Sequence, residues 1–83
     1  MELLYFAWVR ERIGLVGERI EPPVSVRTVA ELITWLAGRG GGYAEAFAEP
    51  ARIRAAVDQA FVQPDAVIAG AKEIALFPPV TGG

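Results

Sequence analysis

Apolar positions dominate the start of the chain, where "MELLYFAWV" carries a single polar residue, Glu2. A short, aromatic-rich apolar run of this kind predicts a β-strand over residues 2–9. In such a strand Leu3, Tyr5 and Ala7 share one face and Leu4, Phe6 and Trp8 the other, so both faces are apolar. Residues 10–14 read as a short helical turn or loop. Residues 15–21 read as a second strand, paired back on the first and stopped by Pro22-Pro23. The clearest helix comes next. Thr28 can cap it, with Glu31 at the third helical position to complete a capping box. Val29, Leu32, Ile33 and Leu36 recur at i, i+3, i+4 and i+7 as one apolar stripe. Gly38 and the glycines at 40–42 mark its end. A short second helix is predicted over residues 43–49, closed by Pro50. Strands follow at 53–58, at Phe61-Val62 and at 73–77, with turns at Pro64-Asp65 and Gly70.

Strand, strand, helix and further strands describe a two-layer α+β domain, in which one long helix covers one face of the sheet. The last strand, like the first, is apolar on both sides: Ile74 and Leu76 alternate with Ala75 and Phe77. Two layers cannot bury all of these side chains. The surplus face is either covered by a loop or left as a docking surface for another protein.

Composition removes most chemistry from consideration. The chain has 83 residues, enough for one domain, and 53% hydrophobic residues argue against disorder. Eight basic and ten acidic residues give a net charge of −2, which offers no attraction to nucleic acid or an anionic membrane. Cysteine and histidine are absent, so zinc sites, thiol nucleophiles and Ser–His–Asp triads are excluded and no metal site is expected. Glu18, Glu21, Glu31, Glu45, Glu49, Asp58, Asp65 and Glu73 are scattered, without ligand or acid–base spacing, and read as solvated surface. The glycine-rich "GRGGGY" follows a helix and has no nearby lysine, so it is a helix terminus and loop, not a phosphate cradle. The N-terminal run has the reverse charge order of a signal peptide and is too short to span a bilayer; a soluble cytoplasmic domain is expected.

What remains is the closing "FPPVTGG". The pattern divides the chain into a domain over residues 1–77 and a tail over 78–83. Pro78 and Pro79 fix φ and hold Phe77 extended, which steers the tail off the domain. Fully extended, its six residues reach about 20 Å. Glycine lacks a Cβ, so Gly82 and Gly83 can thread a narrow channel and present an unhindered carboxylate. Such a tail is expected to be mobile until a partner holds it. Its carboxylate becomes an acyl donor once activated, for example as a mixed anhydride with AMP.

Four segments, "LLYFAWVRERIG", "TVAELITWLA", "AAVDQAFV" and "EIALFPPVTGG", resemble the small subunits of molybdopterin synthase, which are ubiquitin-like sulfur carriers. The resemblance covers nearly the whole chain, and "FPPVTGG" is its most specific element. It departs at "AGAKE", where the family often has an acidic turn. The resemblance implies a β-grasp fold: a mixed sheet with the first and last strands adjacent and parallel, one main helix and one short helix. It also implies the chemistry. An ATP-dependent activating enzyme adenylates Gly83, sulfur replaces AMP to give a thiocarboxylate, and precursor Z receives the sulfur as the molybdopterin dithiolene forms. Pro78, Pro79, Val80, Thr81 and Gly82 would be inserted into a large catalytic subunit, in an assembly of two small and two large subunits. Phe6, Phe61 and Phe77 would form the partner interface, and Arg10 would contact the activating enzyme. The carrier would not be an enzyme on its own and would hold no permanent cofactor, only transient AMP and sulfur. Other readings stay open on the residues alone: a carrier for thiamin or tRNA thiolation, a ubiquitin-like modifier, or an interaction domain with an inert tail. The three phenylalanines could also fill a small core beneath a loop.

Overall fold

The computed structural model describes residues 1–79. Its centre is a pair of parallel strands, β1 (Glu2–Tyr5) and the last strand, β5 (Glu73–Phe77), registered Leu3 to Ile74 and Tyr5 to Leu76. β2 (Gly17–Arg19) pairs antiparallel with β1, β3 (Arg54–Val57) with β5, and β4 (Ala60–Val62) with β3. The order β2-β1-β5-β3-β4 is a five-stranded mixed sheet with the first and last strands adjacent and parallel, the β-grasp arrangement. Between β3 and β4, Asp58 and Gln59 both adopt positive φ, which matches the twist of a two-residue hairpin. The Asp58 carboxylate accepts from the Lys72 and Glu73 amides, both at 2.9 Å, and so ties that turn to the start of β5.

Three α-helices accompany the sheet, where two are predicted. The main one, α2 (Val29–Ala37), forms as its pattern requires: Thr28 accepts from the Glu31 amide, Glu31 accepts from the Thr28 amide, and Val29, Leu32, Ile33 and Leu36 are buried. They pack on Leu3, Tyr5, Ile74 and Leu76, all fully buried, to form the core. The additional helix is α1 (Ala7–Ile13), which takes over the end of the predicted first strand and extends the short helical turn or loop expected at residues 10–14. The strand ends at Tyr5 because Ala7 takes φ 52°, which turns the chain. From there Val9 and Ile13, four apart, set a helical period. Val9 is buried in the core, and Trp8 and Ile13 pack against it. Trp8 therefore leaves the sheet, and the apolar excess is smaller than an eight-residue strand implies.

The short third helix, α3 (Gly41–Ala46), begins two residues before its predicted start and ends three before its predicted end. Gly42 allows this, since a Cβ there would collide with the Arg12 carbonyl oxygen of α1. Gly42 is thus a packing residue between α1 and α3. Pro50 starts a 3₁₀ turn, Pro50–Arg52, that leads into β3. No helix among the described residues is long and apolar enough to cross a membrane.

Candidate functional site

Strand alternation sends Leu3, Tyr5, Ile74, Leu76 and Ala55 under α2, so their neighbours face the other way. Cross-strand register aligns those neighbours in a row: Leu4 lies beside Ala75, Ala75 beside Ala56, and Ala56 beside Phe61. This helix-free face is apolar through its middle. At the end of β1, Phe6 continues the outward side; its amide donates to the Leu76 carbonyl at 3.2 Å, which sets it next to Phe77. The Phe61 and Phe77 rings pack with centroids 5.7 Å apart and planes tilted by 56°. Phe61 is 83% exposed and Phe6 45%, while Phe77 is half-buried.

The structure therefore brings Phe6, Phe61 and Phe77, spread over the whole sequence, to one face of the sheet. They are not sealed into a core, as a loop covering them would require. Phe61 and Phe77 also border a groove of about 750 Å³ that runs along Ile33, Pro50, Ile53 and Val62. Pro78 and Pro79, half-buried, continue directly from Phe77. Val80, Thr81, Gly82 and Gly83 lie outside the described residues. Arg10 is exposed on α1, its amide donating to the Phe6 carbonyl at 3.3 Å. It sits one helical turn from the phenylalanine patch.

Positive side chains gather at this end of the sheet. Arg12 lies 4.3 Å and Arg52 5.9 Å from the Trp8 ring centre, so one indole links α1 to the 3₁₀ turn. Arg54 is registered opposite Phe77. The opposite end is mixed in charge, with Glu2, Glu73 and Asp58 beside Arg19, Lys72 and the amino terminus.

One cluster escaped the sequence reading. Glu18, taken there as solvated, is largely shielded on the core side of β2. Its carboxylate accepts from the hydroxyls of Tyr5 at 2.8 Å and Tyr43 at 2.5 Å and from the Arg39 guanidinium at 3.1 Å. Burial pushes the Glu18 carboxyl up, but these hydrogen bonds outweigh it and hold the group below the usual carboxylate range. Burial first, then the bond to Glu18, pushes the Tyr5 phenol well above the usual tyrosine range. Arg39 also stacks on Trp35 and Tyr43, at 4.8 and 5.1 Å. The four residues clamp β2 to the ends of α2 and α3. Nothing in their spacing, 5, 18, 39 and 43, marks them as partners.

Comparison with known proteins spans the full sequence and agrees with the fold. The ThiS family model matches residues 3–83. The chain is 36% identical over 83 residues to the molybdopterin synthase sulfur carrier subunit of Escherichia coli (strain K12), spanning 100% of this chain and 99% of that one. It is 32% identical to the subunit of the same name from Haemophilus influenzae, with the same coverage. Among solved structures, SAMP1 from Haloferax volcanii superposes with a TM-score of 0.71 at 25% identity, over 100% of this chain and 98% of that one. A chain described as molybdopterin converting factor, subunit 1, from Pyrococcus furiosus superposes at 0.70 with 30% identity, over 95% of each.

Proposed function

Because the chain belongs to the ThiS family, we propose that it is the sulfur-carrying small subunit of a molybdopterin synthase, with Gly83 as the residue that bears the sulfur. The observation that carries the proposal is the junction of patch and tail. The chain leaves the sheet from Phe77, one of three phenylalanines grouped on the helix-free face, and enters a diproline at once. A partner that seats the patch therefore receives the tail from a fixed origin. The similarity to sulfur carrier subunits over 99% of their length supports the same reading.

The chemistry assigned to Gly83 is acyl transfer. Its carboxylate attacks the α-phosphorus of ATP, expelling pyrophosphate and forming an acyl adenylate in the active site of an activating enzyme. A sulfur nucleophile then displaces AMP, and the resulting thiocarboxylate supplies sulfur to a pterin precursor in the large subunit. The small subunit contributes no general acid or base. Its residues position: β1 and β5 hold the patch, Pro78 and Pro79 direct the arm, Val80 and Thr81 follow it into the partner, and Gly82 and Gly83 thread the narrow end of the channel, where only backbone fits. Pre-restricting the free chain at the prolines offsets roughly 0.4–1 kcal/mol each of the ordering cost. The carrier would work in the cytoplasm with ATP at hand, without a resident cofactor. In this reading, two copies join two large subunits.

The test is mass spectrometry of the intact protein after incubation with ATP, a sulfur source and an activating enzyme. A gain of about 16 Da at Gly83, oxygen replaced by sulfur, is expected. Thiocarboxylated protein mixed with the large subunit and the pterin precursor should then return to its original mass. Isopeptide adducts on other proteins, with no thiocarboxylate, would establish a modifier instead.

A further inference from the structure

An acyl adenylate at Gly83, on the reading above, acylates any amine it meets, so the carrier's own amines compete with the sulfur nucleophile. Side chains able to compete are scarce. Cysteine and histidine are absent, and Lys72 is the only lysine beside seven arginines. A guanidinium stays protonated throughout the accessible pH range and is not an acyl acceptor.

The placement of the amines is as informative as their number. β1 and β5 are parallel, with Glu2 opposite Glu73, so Met1 and Lys72 sit side by side where both strands begin. The Glu2 amide donates to the Lys72 carbonyl at 2.9 Å. The Met1 α-ammonium donates to the Ile20 carbonyl at 2.9 Å and lies 3.6 Å from the Glu21 carboxylate. The chain departs for Gly83 at the other end of β5. Five steps of about 3.3 Å separate Lys72 from Phe77, roughly 17 Å. Pro78 and Pro79, with φ fixed, carry the chain about 6 Å further out before it can reverse. Residues 80–83 can then span at most about 14 Å, and a lysine arm adds about 6 Å. The two reaches together do no more than match that separation, so contact requires a tail both fully reversed and fully extended. Around the departure point the cations are all arginines: Arg54 opposite Phe77, Arg10 on α1, and Arg12 and Arg52 about Trp8.

We propose that this fold isolates its activated carboxyl group from its own amines. Arginine supplies the positive charge near the tail, and both primary amines lie at the far pole of the parallel strand pair. Gly83 is thereby kept for an external nucleophile. The avoided reaction is aminolysis: the amine nitrogen bonds to the Gly83 carbonyl carbon, the bond to the leaving group breaks with its electron pair, and the amine loses a proton to solvent. Between copies, Lys72, exposed, is the one side-chain amine that could accept the acyl group.

A Gly83 thioester, made by intein cleavage with mercaptoethanesulfonate, tests this without an activating enzyme. Failure of enzymatic sulfuration is thus read separately. At low protein concentration and about pH 9, where lysine amines are partly deprotonated, intact mass is followed over time. The native chain should end as the hydrolysed acid. Arg54→Lys, and independently Arg52→Lys, should instead give an internal amide about 18 Da lighter than the acid, mapped to the substituted position. Their thioesters should disappear at least tenfold faster than the native one. Circular dichroism of each variant shows whether the fold is kept. An internal amide at Lys72 or Met1 in the native chain would overturn the proposal. So would folded Arg54→Lys and Arg52→Lys proteins that only hydrolyse.

Discussion

Truncating Phe61 separates a docking face from a small core more cleanly than any other change. The side chain is 83% exposed, so only about a sixth of it is out of water in the isolated protein. Complete burial of a phenylalanine stabilises by about 1.5–3 kcal/mol, which assigns some 0.3–0.5 kcal/mol to the part already covered. The tilted pairing with Phe77 adds about 0.5 kcal/mol, the lower end for aromatic pairs because this one faces water. Phe61→Ala should therefore destabilise the isolated domain by about 1 kcal/mol, a fall in Tm of roughly 4–8 °C for a domain of this size. Seating the remaining surface against a large subunit is worth about 1.2–2.5 kcal/mol, so the same variant should weaken binding about ten- to seventyfold. Leu76→Ala provides the contrast. That side chain is fully buried between Tyr5 and Ala55, and its truncation should cost about 2–5 kcal/mol. Calorimetric melting of both variants, with titration of Phe61→Ala into the large subunit, measures the two quantities independently. A Tm loss for Phe61→Ala as large as that of Leu76→Ala, together with native affinity, would refute the docking argument.

Three further outcomes follow from the clamp, the helix contact and the cap. Glu18→Gln removes the charge that accepts from Tyr5, Tyr43 and Arg39, and should cost about 1–2 kcal/mol in urea melts at pH 7. Because the Glu18 carboxyl is held low in the folded state, its contribution is present above the ordinary carboxylate pKa and disappears as pH falls through the lower folded value. The native protein and Glu18→Gln should thus converge in stability under acid; a constant difference from pH 7 down to pH 2 would contradict the assignment. The Tyr5 shift acts oppositely: the folded state keeps its proton, so stability should decline as pH rises above about 10, where an unfolded tyrosine ionises. Gly42→Ala should lower stability by about 1–3 kcal/mol, since its Cβ meets the Arg12 carbonyl; an unchanged Tm would mean that α1 and α3 move apart freely. Thr28→Ala should cost about 1 kcal/mol through loss of the cap to the Glu31 amide, read from the same urea melts.

Local rules were enough for some elements. α2 and its capping box are legible because every contact that defines them lies within four residues, and β5 is bounded by a turn glycine and a diproline. The absence of cysteine and histidine likewise excluded whole classes of chemistry before any fold was known. The first apolar run was ambiguous for a physical reason: without polar residues between them, residues 3–9 carry no period. A positive φ at Ala7 and the burial of Val9 against the core settled where strand gave way to helix. The family resemblance grouped Phe6, Phe61 and Phe77 in advance, but no periodicity along the chain does so; only the tertiary structure could show them on one face, gather Glu18 with Tyr5, Arg39 and Tyr43, or set Met1 beside Lys72. Each grouping follows from sheet order and the parallel direction of β1 and β5, and long-range strand pairing is decided by burial of the whole chain, not by any segment of it.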